Sequence, residues 1–295
     1  VPVDSATLAT MYETSSDAKT LCGTTGDTAV TTNKYSKSGI ISGMSRTTPG
    51  TTSSYREPEL VVGDDEVSYD AKEEYYKDIL GFESKEKMAE AFVSDYNEMI
   101  ASISKYGGFY IGRYELSKAG VQKDKETLTE IDWYNLYKKC KELKASNKVE
   151  TRMIWGCQWD VTMNWLISSG AKTSDEVNND SSSWGNYNNT SVKADDGTTV
   201  IKASGTSSKL NTGKTTFTMA NNIYDLAGNC NEWTQEANDT DYRAGRGGYY
   251  ILDSSSYPAS LCSGSIPSFN GGDHTRFSSH FNNKVIRRSY VEKVM

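Results

Sequence analysis

Histidine is nearly missing from this chain: His274 and His280 are the only two, both close to its end. That removes most imidazole chemistry, because a Ser-His-Asp arrangement needs a positioned His base. No GxSxG elbow accompanies the many serines, and the Gly-Arg-Gly-Gly run at 245–248 lacks the Lys-Ser/Thr of a phosphate-binding loop. Asp273, His274 and His280 are metal-compatible types, read here as a chance assembly of scattered polar residues. The five cysteines (Cys22, Cys140, Cys157, Cys230, Cys262) are an odd number, and no two lie within four residues of each other. Zinc-ligand spacing is thereby excluded, and the thiols read as free, mostly buried small apolar groups, with one disulfide left open. No apolar run approaches the roughly 20 residues that span a bilayer, so no membrane insertion is expected. A net charge of −7 argues against nucleic acid as a partner, since a phosphate backbone needs clustered Lys and Arg. The chain opens on Val1 rather than Met with no signal-like segment after it, as removal of a targeting segment would leave it.

What the chain does have is Ser, Thr, Asn and Gly in quantity, 19 tyrosines, and only 36% hydrophobic residues, which suits a loop-rich fold with a modest core. Residues 4–55 are Ser/Thr/Gly-rich without lasting periodicity and read as a surface excursion; 56–68 reads as a short strand with a Gly-Asp-Asp turn. Ser84 is placed to cap a helix whose Met88, Phe92, Tyr96, Met99 and Ile103 recur at helical spacing and form one apolar stripe, until Gly107-Gly108 stops it. Residues 109–115 (FYIGRYE) read as a buried strand. A second helix is expected from Thr129, with Thr129 and Asp132 as a capping pair and Leu128 stapled against Trp133; Trp133, Leu136, Tyr137, Cys140 and Leu143 line its core face. Met153 to Gly156 reads as a short strand, and Gln158 to Leu166 as a helix burying Trp159, Met163 and Leu166. Residues 168–215, polar and Asn/Ser-rich with Trp184 and Tyr187 as isolated anchors, read as a long surface loop with room for one β-hairpin.

The densest signal is 221–250 (NNIYDLAGNCNEWTQEANDTDYRAGRGGYY). Two short strands pivot on Ala227-Gly228-Asn229, and the glycines beside Arg246 let the backbone pass close to a bulky neighbour. This stretch resembles the formylglycine-generating-enzyme family, a branch of the C-type-lectin-like fold, whose Asn-x-Tyr-Asp-Met/Leu-x-Gly-Asn-Val-x-Glu-Trp run is followed by Arg-Gly-Gly-Ser. GGFYIGRYE at 107–115 is similar to the family's opening core strand. The helix at Trp133 resembles its Val-Ser-Trp-x-Asp-Ala helix, with Asn135 where an acid is common. The family closes on an Ile-Gly-Phe/Cys-Arg strand, which 285–291 (VIRRSYV) matches loosely. The resemblance implies an α+β fold: one C-type-lectin-like domain of the sulfatase-modifying-factor type over 1–295, with surface insertions at 4–55 and 168–215, and Trp155, Trp159 and Trp233 as scaffold.

A second absence lies inside the chain. From Ala237 to Asn283 there is no Lys, Glu, Gln, Trp or Met, although these make up about a fifth of the sequence and nine or so would fall there by chance. Every codon for those five residues ends in a purine, so their joint loss suggests a stretch written in codons ending in pyrimidine, such as AAY codons with randomised adenines. That pattern, with Arg246-Gly247-Gly248, Pro258-Ala259-Ser260 and Pro267 spaced by scattered residues, resembles the variable proteins of diversity-generating retroelements found in phages and prophages of gut bacteria. A low-complexity Ser/Gly loop is the plainer reading of the same stretch.

Read physically, 237–283 is a binding surface, because Tyr and Phe give large contact area at low entropy cost while Ser, Gly and Asn adapt their hydrogen bonds. The expected contact residues are Tyr249, Tyr250, Ile251, Leu252, Asp253, Ser256, Tyr257, Leu261, Cys262, Ser263, Ser265, Ile266, Phe269, Asp273, His274, Arg276 and Phe277. The expected partner is a protein or glycan receptor on a target cell, met by a phage tail tip or a bacterial surface adhesin. No catalysis is expected. The parent family's copper oxidases use a cysteine pair soon after Arg-Gly-Gly-Ser, and Leu252 and Tyr257 stand near those positions here. Iron-using relatives need several His ligands. The alternatives are a copper-dependent oxidase of the formylglycine-generating type or a calcium-dependent lectin. Calcium is the one cofactor with candidate donors, Asp225, Asn229 and Glu232, which read equally as turn caps and a buried hydrogen-bonding acid.

Overall fold

The computed structural model describes residues 44–47, 54–57, 72–106, 109–143, 149–237, 242–268, 281–282 and 285–289. Its strands and helices, in chain order, begin with β1 (Met44–Thr47), β2 (Ser54–Glu57), α1 (Lys85–Tyr106) and β3 (Tyr110–Ile111). Next come α2 (Trp133–Glu142), β4 (Val149–Met153), α3 (Gly156–Ser168), α4 (Ser174–Asn178), β5 (Val192–Lys193) and β6 (Val200–Lys202). The series closes with β7 (Met219–Ala220), β8 (Ile223–Tyr224), β9 (Asn231–Ala237), β10 (Arg243–Arg246), β11 (Cys262–Ser265), β12 (Phe281–Asn282) and β13 (Val285–Ser289). The architecture is α+β, helices set against small, mainly antiparallel sheets. The largest sheet runs β1-β2-β9-β10-β11, with β12 joining β9 in parallel; β3-β13-β4 form a second, antiparallel sheet.

The helices follow from their sequences. The Ser84 hydroxyl accepts from Lys87 N–H at 3.3 Å and caps α1, which buries Met88, Phe92, Tyr96 and Met99 on one face. The second helix begins four residues later than the capping pair predicts. Asp132 is its N-cap and accepts from Asn135 N–H at 2.9 Å, worth about 1 kcal/mol, while the Thr129 hydroxyl accepts from Lys209 Nζ. Lys139 and Lys141 sit in its last turn, where the helix dipole favours cations. The 109–115 strand is shorter than its β-favouring residues suggest, two residues only, yet Glu115 and Leu116 beyond it are fully buried. The strand predicted at 153–156 lies earlier, at 149–153; Trp155 instead flanks the start of α3, where its N–H donates to Gln158 Oε1 at 3.1 Å.

The core has two main parts. One gathers Trp155, Trp159, Trp184, Tyr187, Ile223 and Leu226; the other gathers Met88, Phe92, Trp133, Tyr137, Met153 and Trp233. All six tryptophans are buried. At roughly 150–250 Å² each and about 25 cal/mol/Å², each indole adds on the order of 4–6 kcal/mol of transfer free energy. Trp133 stacks on Tyr137, ring centres 5.1 Å apart, and the Arg243 guanidinium lies 4.3 Å from the centre of the Trp133 ring.

Three further departures bear on the site. Part of the 4–55 excursion is strand, since β1 pairs with β2, and β2 reaches β9 through Arg56 opposite Ala237. The loosely matching closing segment forms β13, the central strand between β3 and β4. Residues 168–215 are only partly a surface loop. The expected hairpin is there as β5–β6, but Trp184, Asn186, Tyr187, Val192 and Thr212 are fully buried and α4 carries the buried Val177. The stretch looked superficial because its apolar residues are few and widely spaced; each is a large anchor, and main-chain bonds do the rest.

Candidate functional site

The centre of the site is the turn 221–230. Asn221, Asn222, Asp225, Gly228 and Asn229 all take positive φ, the conformation that Asn, Asp and Gly adopt with least strain. At Gly228 the requirement is also steric, since a Cβ would collide with the Asn186 carbonyl that bridges to this turn. Asn229 is fully buried: its Oδ1 accepts from Asn186 Nδ2 and Leu210 N–H, each at 2.9 Å, and its Nδ2 donates to Glu115 Oε2 at 2.7 Å. Asp225 accepts from Gly213 N–H at 2.7 Å and from the Thr218 hydroxyl at 2.6 Å. Burial pushes the Cys230 thiol well up, with Glu115, Glu232 and Asp225 adding to the shift, so it stays protonated at neutral pH. Burial does the same to Cys140.

Beneath the Arg-Gly-Gly motif lies a buried ion cluster. Arg246 forks onto Glu236, with Nε to Oε2 at 2.8 Å and Nη2 to Oε1 at 2.7 Å, and its Nη1 donates to Asp160 Oδ1 at 3.0 Å and to the Ser260 carbonyl at 3.2 Å. All three charged side chains are essentially inaccessible, which makes bidentate geometry and opposite charge necessary for burial. Arg246 thus joins β9, α3 and the Pro258-Ala259-Ser260 segment. The Glu232 carboxylate lies where a Gly247 side chain would stand.

Residues 249–261 form a loop seated on this base by framework residues. Gly248 has φ 70°, and a Cβ there would meet the Tyr257 carbonyl at 2.5 Å and the Tyr187 ring at 2.8 Å. The Tyr187 hydroxyl donates to the Gly247 carbonyl at 2.8 Å, Tyr250 N–H to the Asn229 carbonyl at 3.2 Å, and Trp159 Nε1 to the Ala259 carbonyl at 3.1 Å. Ala259 N–H donates to the Ser181 hydroxyl at 3.0 Å and Ser260 N–H to the Val177 carbonyl at 3.1 Å. Asn188 N–H donates to the Leu252 carbonyl at 2.9 Å, while Asn189 exchanges bonds with Ser254 through Nδ2 (3.0 Å) and Oδ1 (3.1 Å). The Ser254 hydroxyl also donates to Asp180, which holds that carboxyl below its usual range. Six supports of the loop (Val177, Asp180, Ser181, Tyr187, Asn188, Asn189) come from 168–215, a role sequence reasoning missed. The available signal was the Asn/Ser richness around Trp184 and Tyr187, short side chains suited to bonding a neighbouring main chain.

The expected contact residues divide by burial. Tyr250, Ile251, Leu252, Tyr257, Leu261, Ser263, Ser265 and Ile266 are half-buried, and Asp253 and Ser256 are exposed. Tyr249 and Cys262 are buried, at 4% and 7% exposure, so they belong to the floor of the loop rather than its face. The reason is local: Tyr249 directly follows the two glycines held against Tyr187 and Glu232, and Cys262 opens β11, opposite Arg246 of β10. Burial, reinforced by Tyr257 and Tyr250, raises the Tyr249 phenol to about 12. Phe269, Asp273, His274, Arg276 and Phe277 lie outside the described residues. The three calcium candidates face different partners: Asp225 toward Gly213 and Thr218, Asn229 toward Asn186, Leu210 and Glu115, and Glu232 toward Gly247. Among the described residues no group of three or more His, Cys, Asp or Glu is arranged to hold a metal, and no helix is long and apolar enough to cross a membrane.

Together these features define an α+β protein in which a loop of partly exposed residues is seated on buried framework positions. No protein-family model matches the chain, and no curated protein matches it. Among solved structures it is similar to Treponema denticola variable protein 1, with 14% sequence identity and a TM-score of 0.33 over 55% of this chain and 71% of that chain. At that TM-score the likeness does not by itself define the fold.

Proposed function

We propose that this chain is a non-catalytic ligand-binding protein: one C-type-lectin-like domain of the formylglycine-generating-enzyme type, whose 237–283 stretch is diversified by a retroelement. Its partner is a protein or glycan receptor on a target cell, and it works on a phage tail tip or a bacterial surface. One observation carries the reading. In the stretch that lacks the five residue types encoded only by purine-ending codons, Gly248, Ser254, Pro258, Ala259 and Ser260 are buried, while Tyr250, Ile251, Leu252, Asp253, Ser256 and Tyr257 between them remain partly or fully accessible. Change at the second set leaves the seat of the loop intact, which is what a diversified surface needs.

The test replaces Tyr250, Leu252, Tyr257 and Phe269 by Ala together. Adhesion to target cells should be lost, with the melting temperature within about 2 °C of the parent, as for surface substitutions. A fall of about 10 °C or more would assign these residues to the core instead. The encoding DNA gives an independent check: a near-copy of the 237–283 segment with adenines at the substituted positions, beside a reverse-transcriptase gene, is expected.

A further inference from the structure

Lys202, on β6, is 4% exposed. Its ammonium donates to the Tyr187 carbonyl at 2.6 Å and the Thr190 carbonyl at 2.8 Å. Both partners are main-chain oxygens of one turn, 187–190, so the cation closes that turn from beneath. A buried ammonium is tolerated only with such bonds, and burial lowers its pKa accordingly. The same turn is bound from the side by the chain following Lys202: Gly205 N–H donates to the Asn188 carbonyl at 2.7 Å, the Ser204 hydroxyl to the Asn189 carbonyl at 3.0 Å, and Asn188 Nδ2 to the Ser207 hydroxyl at 2.7 Å. On its other side the turn holds the loop, through Asn188 to Leu252 and Asn189 to Ser254.

We propose that Lys202 is a positioning residue for the ligand-binding loop, acting through the 187–190 turn to set where Leu252 and Ser254 stand. It touches no ligand. It fixes the height and angle of a loop whose own side chains are free to change, so one constant residue outside the diversified stretch serves every variant. The inference uses the surface assigned above, but its test needs no ligand, so it fails or holds separately from the binding reading.

The experiment is native-state amide hydrogen exchange, resolved by residue, on the parent, Lys202→Met, Asn189→Ala and the double variant. Lys202→Met keeps the apolar stem and removes both bonds. Exchange at Asn188 and Ser254 should quicken by about tenfold or more, with the amides between β9 and β10 unchanged. Because both substitutions act on one path, the double variant should loosen Ser254 little more than the faster single one. Unchanged exchange at Asn188 and Ser254, a uniform rise that includes β9 and β10, or strictly additive effects would each overturn the proposal. Should Lys202→Met not fold, Lys202→Gln, which retains N–H donors on a shorter arm, is read at the same amides against the same three outcomes.

Discussion

Replacing Arg246 by Met removes a cation that faces both Glu236 and Asp160 at hydrogen-bond distance, in a site where all three side chains are closed to water. Desolvating two carboxylates is unfavourable, and here the guanidinium offsets it with three charged bonds of 2.7–3.0 Å. Removing one partner of such a buried group destabilises by about 3–5 kcal/mol. At roughly 2–4 °C per kcal/mol for a chain of this size, the midpoint should fall by about 6–20 °C. Urea and thermal unfolding at neutral pH, followed by tryptophan emission because all six indoles are buried, read the loss directly. A companion variant, Arg246→Met with Glu236→Gln and Asp160→Asn, takes away the stranded charges and should regain part of it. A single-variant loss below about 1 kcal/mol, or a companion that is more damaged than the single, would refute the view that paired charge holds β9, α3 and the 258–260 segment together.

Two further outcomes follow from the seat of the loop. Gly248→Ala should destabilise by about 1–3 kcal/mol in urea unfolding, because a Cβ at φ 70° meets the Tyr257 carbonyl and the Tyr187 ring; an unchanged midpoint would mean the approach is looser. Tyr249, raised to about 12 by burial from the usual value near 10, is protonated longer when folded. Its contribution is therefore complete below pH about 10 and is lost as pH rises to about 12, visible as a late phenolate absorbance step that Tyr249→Phe deletes.

Legibility in the sequence followed the reach of each interaction. The α1 stripe and the Ser84 cap are local, set by side chains three or four apart, and could be read directly. So could the Ala227-Gly228-Asn229 turn, where Gly228 and Asn229 take positive φ. The start of α2 was misplaced because both Thr129 and Asp132 are competent caps, and only the distant Lys209 shows that the Thr129 hydroxyl is otherwise engaged. The 237–283 stretch stands out in the sequence as a compositional gap. The burial of Tyr249 was not legible: nothing local distinguishes it from Tyr250, and it follows from the two preceding glycines packed against Glu232 and Tyr187.

By itself the chain determined the apolar stripe of α1, its pivotal turn and the compositional gap at 237–283, because periodicity, φ preference and composition are carried by neighbouring residues. Only the tertiary structure decided that 168–215 is the bench under the loop, that Arg246 meets Asp160 from 86 positions away, and that Lys202 grips the turn beneath Leu252 and Ser254. Those bonds join main-chain groups and single charges far apart in the chain. A carbonyl leaves no trace in a sequence of the partner it will find.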